Sequence, residues 1–179
     1  QPWLSVSATI QSTSTPPPCP PMARTAIDSG FDVSSLMGSA CAATVIGLET
    51  TRIEIGTAVV PIQPRHPVAL AQQALSTQAV LEGRLALGLG VSHHWIVDEM
   101  LGLPYERPAQ TMRDYLDVLE PALAGPGPVD VENDTFRVHN PLDITDITPT
   151  PVLLAALGPL MLRIAGERTD GTILWMADE

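Results

Sequence analysis

With 179 residues, 45% of them hydrophobic and 16% charged, the chain is long enough to bury one core and has the balance of a single globular domain. Nine basic residues against twenty acidic ones give a formal charge of -11, which repels phosphate backbones and anionic lipid and so excludes neither enzymes nor scaffolds but argues against nucleic acid and membrane partners. All nine basic residues are Arg, so neither a P-loop lysine nor a Schiff-base lysine is available.

Residues 1–39 open with QPWLSVSATIQSTSTPPPCPP. Ser, Thr and Pro without a sustained period, and prolines that cannot donate to a sheet, predict an irregular or disordered segment. No run reaches the roughly 20 apolar residues of a membrane helix, and no basic stretch precedes an apolar one as in a signal peptide. Cys19 and Cys41 have no CxxC spacing, so neither a zinc ribbon nor a disulfide framework is indicated and a reducing cytoplasm is the default.

ACAATVIGL, from Ala40 to Leu48, reads as a helix leading into a first strand, Arg52–Val60. A crossover helix follows from Pro67 to Leu81. Its apolar positions Val68, Leu70, Ala71, Ala74, Leu75 and Leu81 share a face that only Gln78 interrupts. Pro67 suits the first turn, His66 a cap before it, and Gly83 the stop. A second strand, Arg84–Val91, completes a strand–helix–strand unit. Two apolar strands joined by a helix are parallel and covered on both faces, which makes the chain α/β and directs the search for function to the carboxyl edge of the sheet.

Met112, Tyr115, Leu116, Leu119 and Leu123 predict a helix over Thr111–Leu123, stopped by the GPGP at 125–128. VDVENDTFRVHN alternates about Asn133-Asp134 and predicts a hairpin outside the sheet, with His139 structural. A third strand, Val152–Leu157, turns at Gly158-Pro159 into a helix through Asp170, and a fourth, Thr172–Met176, follows.

Three spots carry candidate chemistry. Gly88-Leu-Gly90 has the GxG of a dinucleotide loop but no third glycine, so it reads either as that loop or as glycines that let the chain turn at a strand end. His93, His94, Asp98 and Glu99 invite a metal, yet a third ligand at motif spacing is missing. His93 also reads as a ligand-facing donor or as a surface histidine. The Ala155–Pro159 turn offers backbone amides at a helix start, where anions are favoured, although Pro there is also ordinary helix-start chemistry.

GTAVVPIQPRHPVALAQQALSTQAVLEGRLALGLGVSHH resembles the bacterial luciferase-like monooxygenase superfamily, in particular its oxidoreductases that use the deazaflavin coenzyme F-420, and GPLMLRIAGERTDG is similar to the same family's later phosphate turn. The resemblance runs from about Arg52 to the end of the chain. It implies a partial (β/α)8 TIM barrel, strands three to six, over residues 40–179 with an insertion at about 92–150. It also implies that Thr57, Ala58 and Val59 lie against the deazaflavin ring with a cis Ala58–Val59 peptide in a bulged strand end. By the same resemblance Gly90, Val91, Ser92 and His93 line the cofactor, Ala156, Leu157 and Gly158 hold its phosphate, and His93 is the candidate acid or base. Hydride transfer between F-420 and a small-molecule substrate is the implied chemistry. A reduced-flavin (FMN) monooxygenase of the same superfamily and a non-enzymatic remnant or interaction domain are the alternatives. In such a barrel Ile53, Ile55, Leu85, Leu87, Leu153 and Ile173 are expected to point inward. Four strands leave two open edges, so homo-oligomerisation, or aggregation without activity, is expected of the chain alone.

Overall fold

The computed structural model describes residues 39–142, 144 and 146–174. The predicted irregular segment, apart from Ser39, lies outside these residues, as do Trp175 and Met176. Element order is α1 (Ser39–Leu48), β1 (Ile55–Gly56), β2 (Val60–Pro61), α2 (Pro67–Val80), β3 (Leu85–Gly90), a π-helical turn (Trp95–Met100), α3 (Pro108–Leu123), β4 (Gly127–Glu132), β5 (Arg137–Leu142), β6 (Val152–Ala155), α4 (Pro159–Arg168) and β7 (Gly171–Ile173).

Strands β1 and β2 both pair with β3, which pairs with β6, which pairs with β7, and every one of these ladders is parallel. β4 and β5 form a separate antiparallel hairpin, as the alternation predicts. The third strand ends two residues earlier than expected, at Ala155, where the Ala156 amide donates the last rung of the ladder to the Ile173 carbonyl at 3.2 Å. The last helix stops at Arg168. Asp170, predicted helical, instead accepts from the Val152 amide through Oδ2 at 2.8 Å and donates its own amide to the Val152 carbonyl at 2.9 Å, fixing the start of β6.

The predicted first strand is in fact broken. Between the pairs Gly56–Ala86 and Val60–Leu89, three residues of the first strand stand opposite two of β3, which is a bulge.

Register sorts the side chains. Ile55, Leu85, Leu87, Leu89, Val152 and Leu154 share one face and are buried in a core with α2 and α3. Ala86, Leu153, Ala155 and Ile173 occupy the other face and are half-exposed. Of the side chains expected to point inward, Leu153 and Ile173 lie on this second face. Ile55, Leu85 and Leu87 do not: they pack on the helices. Alternation cannot set the facing of a run that is apolar on both sides, and burial under helices decided it.

Gln78, the interruption in the α2 stripe, is fully buried. Its Oε1 accepts from the Leu85 amide at 2.7 Å and its Nε2 donates to the Pro149 carbonyl at 3.0 Å, so one side chain ties α2 to the starts of two strands. His66 caps α2 as predicted, its Nδ1 accepting from the Val68 amide at 3.3 Å. Helix α3, which lies within the predicted insertion, packs against α2 and α4 as part of the helical layer. Arg168 on α4 joins it through Glu120 and Asp117 at 2.9–3.0 Å.

Candidate functional site at the carboxyl edge of the sheet

The bulge organises this edge. Thr57 donates its amide to the Ala86 carbonyl at 3.2 Å, and the ladder then fails because an extra residue has entered. The Thr57 hydroxyl substitutes for it, accepting from the Gly88 amide at 2.9 Å and donating to the Gly88 carbonyl at 3.0 Å. Thr57 is buried. A Cβ on Gly88 would overlap the Thr57 carbonyl oxygen. On Gly90 it would meet Val59 Cγ2 at 2.7 Å and Ala155 Cβ at 3.4 Å. Both glycines are therefore demanded by the neighbouring strand, and both lie inside β3 rather than in a strand-to-helix turn. This sets aside the dinucleotide-loop reading of GxG and also the reading as turn glycines.

The Ala58–Val59 peptide is cis, as the resemblance implied. Val59, Gly90 and Ala155, from three successive strands, converge on the half-exposed face.

Beyond Gly90 the loop is braced from outside. The Gly90 carbonyl accepts from the Ile62 amide at 3.1 Å, the Val91 carbonyl from Gln63 Nε2 at 2.6 Å and the Ser92 carbonyl from the Tyr105 hydroxyl at 3.1 Å. Ser92 has φ +57°, a left-handed conformation that costs a non-glycine residue roughly 1 kcal/mol. The His93 side chain is exposed and bonds to none of the described residues, while its carbonyl starts the π-helical turn by accepting from Ile96 and Val97. His94 stands 3.7 Å from Asp98, both exposed, with its ring edge-on to Tyr105 at 5.6 Å. Among the described residues no three His, Cys, Asp or Glu side chains group as a metal site.

At the end of β6, Ala156 is buried and its amide is already used by Ile173, so it does not belong to a set of free turn amides. Leu157 and Gly158 are exposed. Gly158 is the N-cap of α4, with φ -96° and no atom of the described residues within 4 Å of a built Cβ. None of the described residues demands glycine there, unlike at Gly88 and Gly90. The amides of Gly158, Leu160 and Met161 bond to none of the described residues, leaving the positive end of a ten-residue helix open at the functional edge.

Sequence reasoning missed Gln63 and Tyr105. Tyr105 falls in no motif and Gln63, although inside the segment that carries the resemblance, takes no role from it; only the fold reveals that both reach carbonyls of the β3 loop.

The luciferase-like monooxygenase family model matches residues 23–179. A Mycobacterium tuberculosis protein with the provisional name coenzyme F-420-dependent oxidoreductase is 29% identical over 138 residues, 70% of this chain and 40% of that protein. The 4-hydroxyprotoasukamycin monooxygenase of Streptomyces nodosus subsp. asukaensis is 32% identical over 125 residues, 66% of this chain and 33% of that one. Among solved structures, the coenzyme F-420-dependent tetrahydromethanopterin reductase of Methanopyrus kandleri superposes with a TM-score of 0.65 at 24% identity, over 77% of this chain and 44% of that one. The chain thus spans less than half the length of these relatives. Its parallel sheet, outer helices and bulged strand end are an arc of their (β/α)8 barrel, and the chain belongs to the luciferase-like monooxygenase family.

Proposed function

We propose that the chain forms the cofactor-holding arc of an oxidoreductase that uses deazaflavin coenzyme F-420. The observation that carries this reading is the contrast between glycines: the described residues fill the space beside Gly88 and Gly90 but leave that beside Gly158 empty, next to amides at a helix start that bond to none of them. These residues fit such a cofactor. Its phosphate would lie at the amides of Gly158, Leu160 and Met161, where close backbone approach and the helix dipole favour an anion. Its ring would lie against Thr57, Ala58 and Val59 and the loop Gly90–Ser92. Ala156, buried, and Leu157, exposed, lead into this turn.

When bound, the deazaflavin supplies hydride transfer to or from a small organic substrate. The chain's own part is to orient it and to exclude water with the apolar second face of the sheet. His93, exposed at the same edge, would hold or deliver the proton that accompanies the hydride. The F-420-dependent name of the Mycobacterium tuberculosis relative supports this choice.

A reduced-flavin monooxygenase is the second reading, favoured by the Streptomyces nodosus relative. Anaerobic fluorescence titration with F-420 and with reduced FMN separates the two. Saturable binding of F-420 in preference to FMN is expected. The reverse preference selects the monooxygenase, and a flat response to both overturns the cofactor reading.

A further inference from the structure

Three consecutive carbonyls, of Gly90, Val91 and Ser92, are each taken by a donor from elsewhere in the chain: the Ile62 amide, Gln63 Nε2 and the Tyr105 hydroxyl. In a trans peptide the carbonyl of one residue and the amide of the next point in opposite directions. The amides of Val91, Ser92 and His93 therefore turn away from these donors, and none of them bonds to the described residues.

The two side chains are poorly explained by stability alone. The Oε1 of Gln63 is buried without a partner among the described residues, an arrangement that an apolar side chain of the same shape would relieve. Tyr105 spends its hydroxyl on a residue in left-handed conformation and packs edge-on to His94. What both achieve is to hold the β3 loop in one conformation.

We infer that Gln63 and Tyr105 are positioning residues that clamp Val91 and Ser92 from two sides, so that the free amides of the loop and the His93 side chain are presented together to the cofactor. This rests on the cofactor reading above. Burial pushes the Tyr105 pKa up, which keeps its hydroxyl a donor through neutral pH and beyond.

The test uses Gln63→Met and Tyr105→Phe, which keep shape and remove one hydrogen bond each. Two readouts are taken: affinity for F-420 and reduced FMN, and hydrogen exchange at the Ile96 and Val97 amides, whose acceptor is the His93 carbonyl. Each variant is expected to bind the cofactor about tenfold more weakly and to exchange these amides about tenfold faster, with the melting temperature little changed, because one net hydrogen bond is worth about that factor. Unchanged exchange in both variants overturns the clamp. Faster exchange with unaltered affinity overturns its link to the cofactor. If the unmodified chain binds neither cofactor, the reading of the function falls, and the exchange data still decide whether the clamp exists.

Discussion

The Thr57 hydroxyl sits between the amide and the carbonyl of Gly88, at 2.9 and 3.0 Å, and replaces a rung of the parallel ladder with a side chain. The bulge at the functional edge is possible because this residue satisfies both groups. Thr57→Val is expected to cost ~2–4 kcal/mol by leaving two buried backbone groups unpaired, and Thr57→Ser ~1 kcal/mol or less. Gly88→Ala, which drives a methyl into the Thr57 carbonyl, is expected to cost about 3 kcal/mol or more. Denaturant unfolding measures all three, and a Val variant as stable as the Ser variant would contradict the substitute-rung account.

Gln78 predicts a loss of another kind. Gln78→Leu makes the α2 stripe continuous, as pattern alone would favour, yet it is expected to destabilise by ~2–4 kcal/mol because the Leu85 amide and Pro149 carbonyl lose their partner. Urea titration checks it; a stabilised Leu variant would sink the argument.

These two residues show what the sequence could and could not reveal. The order of strands and helices was legible because each element carries its own period and stop, and the family resemblance located the cis peptide. Gln78 was visible as a break in a stripe, but its partners lie in segments that only tertiary structure brings near. The break in the first strand was expected only from the family resemblance, as a bulge beside the cis peptide, since the apolar run itself reads the same with or without an extra residue. For the same reason Leu85 and Leu87 were assigned to the wrong face. The GxG was visible as a motif, but its link to the bulge on the adjacent strand, which fills the space beside both glycines, was not.

Tyr115 predicts a pH effect. Its hydroxyl is buried without a partner among the described residues, and burial raises its pKa well above the usual phenol value. A raised folded-state pKa contributes stability that is full below the unfolded value of about 10 and is lost as pH rises above it. Tyr115→Phe should therefore be neutral or stabilising by about 1 kcal/mol near pH 7. It should also show a flatter decline in melting temperature above about pH 10. An unchanged alkaline decline counts against the assignment.

Gly158→Val separates folding from binding. With none of the described residues crowding the site and an ordinary backbone angle, the variant is expected to fold, at a cost of about 0.5–1 kcal/mol for a β-branched residue at the N-cap. Cofactor affinity should drop about tenfold or more, because the side chain blocks close approach to the amides. Equal affinity in a folded variant removes the phosphate assignment.

The central claim is that one cofactor spans the edge from the β6–α4 turn to the bulge, and amide chemical-shift mapping of the chain with added F-420 tests it most directly. The account predicts concerted, saturable shifts at Gly158, Leu160 and Met161 together with Val59, Gly90 and Ser92, at a single dissociation constant. Shifts confined to other surfaces, or none at either end of this edge, would contradict it.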